Sequence, residues 1–310
     1  MTIITQFPAA KRTVKAFAGT VAVICTLLSL PVFAVDPFRT NNPRELGENT
    51  HAAFESIFKE GDYKGAKKYL KQAKSTEADE PLVYAMLSSL AYTDRDWEDL
   101  KSYASKTLST AQQLLESDPL RGNLYTAVGH FLEGAYKFEK EGPISTLSKL
   151  QKVFQYLDEA KKIDANDPEL NLITGYMDLM LAVNLPFSDP AEAVAKLEKY
   201  ASPSYLVYRG IAVGYRDLKK HSEAMEFAER ALELTPDNPE VIYLKAQILV
   251  NQGKHQDGLE LFNKALEKGN TLPNYSVAQI AYEHCRLTEK IDNIDRDCRA
   301  ERNRVRDKGI

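Results

Sequence analysis

The sequence predicts an all-α fold, a right-handed α-solenoid in which about six helix hairpins stack side by side and a capping pair ends the array. Three observations support this prediction. Tyr205–Asn238 and Pro239–Leu272 are consecutive copies of one unit, equal in length. Small residues recur where the two helices of a hairpin must touch, and proline-containing turns separate the hairpins. A fixed period of this length indicates repeats that bury their apolar faces only against neighbouring repeats.

The first regular unit shows how each hairpin is built. Its first helix has an apolar face at the spacing i, i+3, i+4 and i+7, formed by Tyr208, Ile211, Ala212 and Tyr215. The second helix presents the small residues Ala224, Ala228 and Ala231, and Pro236 ends the unit because proline cannot continue a helix. This pattern of large, small and proline positions resembles the tetratricopeptide repeat. The second unit resembles it too, although Asn270 stands where proline is usual.

The remaining repeats are assigned from turns and apolar faces in chain order. Gly61-Asp62 predicts the turn of the first hairpin, Asp94–Asp96 that of the second, and Glu141-Gly142-Pro143 that of a longer third hairpin. A loop inserted after Asn184 interrupts the fourth. We expect an extended leader at 35–46, repeats at 47–80, 81–119, 120–167, 168–204, 205–238 and 239–272, and a capping helix pair at 273–310, whose second helix begins at Ile294.

Residues 1–34 have the pattern of a signal peptide. Basic residues between positions 11 and 15 precede the apolar stretch Ala16–Leu30, and Val32 and Ala34 suit the positions before a cleavage site. An uncleaved anchor is the alternative, because the uncharged run Ala16–Val35 is just long enough to span a bilayer as a helix. The net charge of −4 gives no indication of nucleic-acid binding.

Two cysteines follow the signal segment, Cys285 and Cys298. An even, small number of cysteines in an exported chain predicts one disulfide, and two free thiols are the alternative. Pairing them centres the turn of the hairpin near Ile291–Asp292, a few residues later than the repeat register predicts. The disulfide would stabilise the capping pair by roughly 3 kcal/mol.

Catalytic motifs are lacking in the sequence. The five histidines are scattered, and neither an HExxH motif, a G-x-S-x-G motif nor a phosphate-binding glycine loop occurs. The carboxylates fall on polar helix faces and in turns. We therefore expect a non-enzymatic protein with no cofactor, no metal and no small-molecule substrate.

The resemblance to tetratricopeptide arrays implies a concave binding surface formed by the first helix of each repeat. Arg209 and Arg216 lie two turns apart on this surface, between Tyr176 and Tyr243 of the neighbouring repeats. Guanidinium groups flanked by aromatic rings suit an extended peptide with carboxylates, whereas pairing with nearby acids is the alternative. The implied groove residues are Tyr92, His130, Tyr176, Arg209, Val213, Arg216, Tyr243 and Gln247.

Residues 118–134, 175–187 and 210–218 resemble a family of exported tetratricopeptide proteins from cyanobacteria. That resemblance implies a location in the periplasm or thylakoid lumen and adds no activity. The sequence thus predicts an exported scaffold that binds a peptide or protein partner in its groove, in the assembly of an envelope or membrane complex. A membrane-anchored structural subunit of a larger complex, held by an uncleaved N-terminal helix, is the alternative.

Overall fold

The computed structural model describes residues 36–184 and 190–310. The predicted signal peptide and most of the loop inserted after Asn184 lie outside the described residues. Within them, the regular secondary structure is helical, and consecutive helices pair as antiparallel hairpins. Neighbouring hairpins stack against each other, which confirms the predicted α-solenoid.

The helices fall into pairs along the chain. The first pair is α1 (Glu48–Phe54), which continues as a π-helical turn (Glu55–Glu60), and α2 (Tyr63–Thr76). The next pairs are α3 (Pro81–Asp94) with α4 (Trp97–Leu114), α5 (Pro119–Glu141) with α6 (Leu147–Ile163), and α7 (Pro168–Asn184) with α8 (Pro190–Tyr200). The last are α9 (Ser204–Asp217) with α10 (His221–Leu234), α11 (Pro239–Asn251) with α12 (His255–Glu267), and α13 (Asn274–Asp292) with α14 (Cys298–Lys308).

Side chains at the helix starts explain why the chain turns where it does. The carboxylate of Asp96 accepts a hydrogen bond from the backbone N–H of Asp99 at 3.0 Å, and the Asn238 amide oxygen accepts from Glu240 N–H at 2.9 Å. Such N-caps satisfy backbone donors that a helix start leaves unpaired. Proline at the first position of α3, α5, α7 and α11 fits the same end of a helix, because its missing N–H costs nothing there.

The regular pair α9–α10 packs through the small residues that the sequence singles out. Ile211 and Ala212 of α9 are fully buried, as are Ala224, Ala228 and Ala231 of α10. Methyl groups at these positions let the two backbones approach closely, so a larger residue there would force the helices apart.

The third hairpin is longer than the repeat pattern because α5 has 23 residues and a 3₁₀ turn (Pro143–Thr146) follows it. Gly142 ends α5 with a φ of 85°, a left-handed conformation that residues with a side chain rarely adopt.

The capping pair differs from the prediction in where its second helix starts. Asn293, with a left-handed φ of 56°, ends α13, and Asp297 caps α14 by accepting from Ala300 N–H at 2.9 Å. The second helix therefore begins at Cys298 and not at Ile294. The predicted disulfide joins Cys285 to Cys298, whose Cα atoms are 5.5 Å apart, as disulfide geometry requires.

The first hairpin also contacts the fifth and sixth. The Asn238 amide donates to the backbone carbonyls of Phe58 and Lys59, at 3.3 and 3.2 Å. The Tyr205 hydroxyl reaches a carboxylate oxygen of Glu55 at 3.4 Å. These contacts join repeats far apart in sequence, so the first helices of the intervening repeats surround a common interior space.

Candidate functional site

An apolar cavity of about 680 Å³ occupies this interior. Its walls come from α1 and the π-helical turn after it, α3, α5, α6, α7 and α9. A volume of this size is typical of ligand sites, which are mostly apolar with a few polar groups. Apolar side chains that line it include Phe54, Phe58, Met86, Phe131, Leu157, Leu172, Met177, Met180 and Val213.

Part of this apolar lining faces water. Phe131 of α5 and Met180 of α7 are 44% and 45% exposed. Methionine adapts its shape to different partners because its chain is unbranched and flexible. Apolar surface left open inside a concave wall therefore marks an interaction site.

Tyr176 forms the wall between α7 and α9. Its hydroxyl donates to the Leu206 carbonyl at 2.6 Å, and burial of this hydroxyl raises the pKa of Tyr176 to about 12. A Cβ at Gly210 would come within 2.6 Å of the Tyr176 ring, so the close approach requires glycine at that position. Tyr176, one of the predicted groove residues, thus joins two repeats and lines the cavity.

Arg209 also lines the cavity, but its charge is already paired. Its guanidinium lies 3.0 Å from Glu240 of the sixth repeat, and the Tyr63 hydroxyl of the first repeat donates to the same carboxylate at 2.9 Å. Burial would lower the pKa of Arg209, but Glu240 raises it above its ordinary value. This trio joins the first hairpin to the fifth and sixth at the edge of the cavity.

The other predicted arginine, Arg216, is not part of the cavity lining, although its partner Asp217 is. Its Nε donates to Asp217 at 2.8 Å, and its Nη1 donates to the Gln247 amide oxygen. Gln247 donates in turn to Glu283 at 2.9 Å. Burial, and to a smaller extent the negative charge of Glu283, raises the pKa of Tyr243. Arg216, Gln247 and Tyr243 therefore belong to one polar network and do not line the cavity, whereas Tyr176, Arg209 and Val213 do.

His130 and Tyr92 lie outside the cavity lining. His130 is buried, 3.4 Å from Glu133, and its ring centroid is 5.7 Å from that of Tyr156 on α6. Tyr92 is exposed and packs edge-on against Trp97 with centroids 5.9 Å apart. These two predicted groove residues are not brought together with the others.

The leader enters the cavity region. Residues 36–46 contain no helix, and Phe38 is only 5% exposed because its ring packs edge-on against Phe54 with centroids 5.1 Å apart. The leader was expected to be extended, but nothing in the sequence indicated that it packs in the core. Phe38 is thus part of the cavity lining, next to Phe54.

Arg39, the next residue, is held by carboxylates. Its Nε donates to Asp167 at 2.8 Å, and its other nitrogens lie 3.0 Å from Asp36 and 3.1 Å from Glu169. Burial would lower the pKa of Arg39, but Glu169 and Asp167 raise it above its ordinary value. Tyr125 donates its hydroxyl to Glu169 as well. A charge buried this far from water persists only when it is paired in this way.

Sequence reasoning missed this cluster of charges. Asp167 and Glu169 lie at the start of α7, where acids are ordinarily explained by capping and the helix dipole. Their partner is 128 and 130 residues away. The one local indication of this charge cluster is the arginine that directly follows phenylalanine in the leader, and the sequence does not show which acids it pairs with.

Within residues 36–184 and 190–310, no group of three or more His, Cys, Asp or Glu side chains is placed to hold a metal ion. None of the helices described there is both long and apolar enough to cross a membrane.

The stacked helix hairpins have the arrangement of tetratricopeptide-type helical repeats. The family model described as anaphase-promoting complex, cyclosome, subunit 3 matches residues 217–296. The chain is also similar to the DnaJ homolog subfamily C member 3 homolog of Dictyostelium discoideum, with 27% identity over 173 residues. That match covers 52% of this chain and 32% of the relative, so the chain spans about a third of its length.

The chain is also similar to two solved structures. The crystal structure of PilW, a widely conserved type IV pilus biogenesis factor, has 15% identity and a TM-score of 0.46, and the match covers 74% of this chain and 93% of PilW. The human IFIT1 dimer with PPP-AAAA has 15% identity and a TM-score of 0.45, with 81% of this chain and 58% of that chain covered.

Proposed function

We propose that this protein is an exported, non-enzymatic scaffold that binds a segment of a protein partner in its interior cavity. The observation that carries the proposal is the apolar cavity of about 680 Å³, whose walls keep Phe131 and Met180 partly exposed. A partner segment that covers these side chains removes apolar surface from water, which favours binding by about 25 cal/mol for each Å².

The partner segment meets few free charges in this cavity. The charged residues of the lining are paired, Arg209 with Glu240, Glu169 with Arg39 and Asp217 with Arg216. We therefore propose a segment anchored by apolar side chains, in place of the carboxylate-bearing peptide that the two arginines suggested.

The setting we propose is the periplasm or thylakoid lumen, in the assembly of an envelope or membrane complex. The signal-like residues 1–34 support export, and the disulfide is of a kind that persists in oxidising compartments. Mass spectrometry of the mature N-terminus distinguishes this proposal from a membrane-anchored subunit. A chain that starts near Val35 supports export with cleavage, and a chain that retains residues 16–30 supports the anchor.

Photo-cross-linking in the native cell tests the binding site. A photo-reactive amino acid replaces Met177, which lines the cavity, and in a matched control it replaces Glu226, which lies on α10 away from the cavity lining. We expect one defined protein to be linked through position 177 and not through position 226. Equal labelling from both positions, or none from position 177, would contradict the proposal.

A further inference from the structure

Four carboxylates of the solenoid surround the place where the leader docks. We call Glu80, Asp118, Asp167 and Glu169 the acidic cluster. Glu80 and Asp118 cap α3 and α5, and Asp167 and Glu169 lie at the start of α7. Arg121 of α5 lies among them, 2.6 Å from Glu80 and 3.8 Å from Glu169. Without the leader, the acidic cluster would hold an excess of negative charge.

The leader supplies the missing positive charge. Arg39 bridges Asp167 and Glu169, and its side chain is 9% exposed. Arg44 lies 3.0 Å from Asp118 and 3.5 Å from Glu169. Burial and the neighbouring Arg39 lower the pKa of Arg44. The leader thus brings two guanidinium groups to the acidic cluster and one carboxylate, Asp36, which pairs with Arg39. The remaining negative charge of the acidic cluster favours a cationic occupant.

Phe38 and Arg39 therefore contact two kinds of surface side by side. The Phe38 ring enters the apolar cavity beside Phe54, while the Arg39 guanidinium meets the acidic cluster. A planar guanidinium suits paired carboxylates because its donors form a fixed fork. Removing Arg39 alone would leave buried carboxylates unpaired, but a second segment that supplies the same guanidinium contacts can take the place of the leader without that cost.

We propose that this end of the cavity is a recognition site for an extended segment with an aromatic residue followed by arginine. The leader is an intramolecular copy of that ligand and competes with it. The inference rests on the proposed function, since the ligand is part of the partner segment that the cavity binds.

Fluorescence polarisation with a labelled peptide of sequence Asp-Pro-Phe-Arg-Thr-Asn-Asn-Pro-Arg, based on the leader around Phe38 and Arg39, tests this site. The receptor is the full mature chain, either unaltered or with Phe38→Ala and Arg39→Ala. The matched control carries Thr40→Ala and Asn41→Ala, two exposed leader positions. A tethered competitor at an effective concentration of about 1 mM weakens the binding of a peptide with a Kd of about 0.1 mM by about tenfold, so we expect the first variant to bind about tenfold more tightly than the unaltered chain.

The control variant should bind the peptide as weakly as the unaltered chain does. A peptide with Arg39→Glu should bind none of the three proteins, because it would add a carboxylate to the acidic cluster. Circular dichroism checks that each variant is folded. If the double variant does not fold, Arg39→Lys replaces it, since lysine keeps the charge and loses the fork, and it should show a smaller gain in the same direction.

A folded variant that binds the peptide no better than the control would overturn the inference and make the leader a fixed part of the core. A dimer of the unaltered chain that disappears in the double variant would also overturn it, because the leader would then bind a second copy. Cross-linking through position 177 reports on the proposed function separately. If that cross-link forms while the peptide fails to bind, only the present inference is lost.

Discussion

The disulfide between Cys285 and Cys298 gives the sharpest stability prediction. It joins the middle of α13 to the first residue of α14 across 13 residues of sequence. Replacing both cysteines by serine frees this loop in the unfolded chain. In the chain-entropy model this lowers the free energy of unfolding by about 3 kcal/mol. Because α14 packs on α13, the loss should be concentrated in the capping pair and should fade towards the preceding repeats.

Hydrogen exchange measured by mass spectrometry tests this prediction. A loss of about 3 kcal/mol corresponds to roughly a hundredfold faster exchange where the disulfide sets local opening. We expect that change in α14 and the end of α13, and less than about a threefold change in α9 and α10. Reduction of the unaltered chain is the matched control, since it breaks the same bond and keeps both sulfurs. Unchanged exchange in α14 under both treatments would refute the chain-entropy reasoning.

Two further predictions concern buried charges. Glu240→Gln leaves the Arg209 guanidinium without its counter-charge at the contact between the first and sixth repeats, and we expect a loss of about 2–3 kcal/mol in urea denaturation. Glu223→Gln, at an exposed position of α10, should change stability by less than about 0.5 kcal/mol, and equal effects would contradict this reasoning. Burial, aided by Lys149 and opposed by Glu133, lowers the pKa of His130, so the folded state favours the neutral imidazole. Stability should therefore fall as pH drops through the unfolded value near 6.5, and His130→Gln should reduce that fall between about pH 7.5 and 5.5. Parallel urea midpoints for the two proteins across this range would contradict it.

The fold was predictable because its determinants are local. The positions of Ala212, Ala224 and Ala231 within one repeat unit specify which helix faces touch, and all three are fully buried. The turns follow from short signals such as Asp62 and Asp96, which cap the helices they precede. The predicted start of α14, Ile294, precedes the observed start, Cys298, because the left-handed conformation of Asn293 was not apparent from the charged sequence around it.

The candidate site was predictable only in part. Repeat positions specify the face on which a residue lies, so Tyr176, Arg209 and Val213 do line the cavity. They do not specify whether a charge is free, and Glu240, which pairs with Arg209, lies in the next repeat. The sequence analysis assigned Arg216 and Tyr243 to the same groove as Arg209 because it relied on repeat positions, which do not show which side chains pair.

Contacts between distant repeats are the feature that sequence periodicity cannot supply. In a simple array each repeat touches only its neighbours, and a disturbance at one end fades along the stack. Here Tyr63 of the first repeat shares Glu240 with Arg209, and Tyr205 contacts Glu55, so the first hairpin is tied to the fifth and sixth. Closing so long a segment costs only slightly more entropy than closing a short one, because the cost rises with the logarithm of length. The cavity therefore lies between hairpins that three others separate along the chain, and its lining includes Phe58 of the first and Leu206 of the fifth.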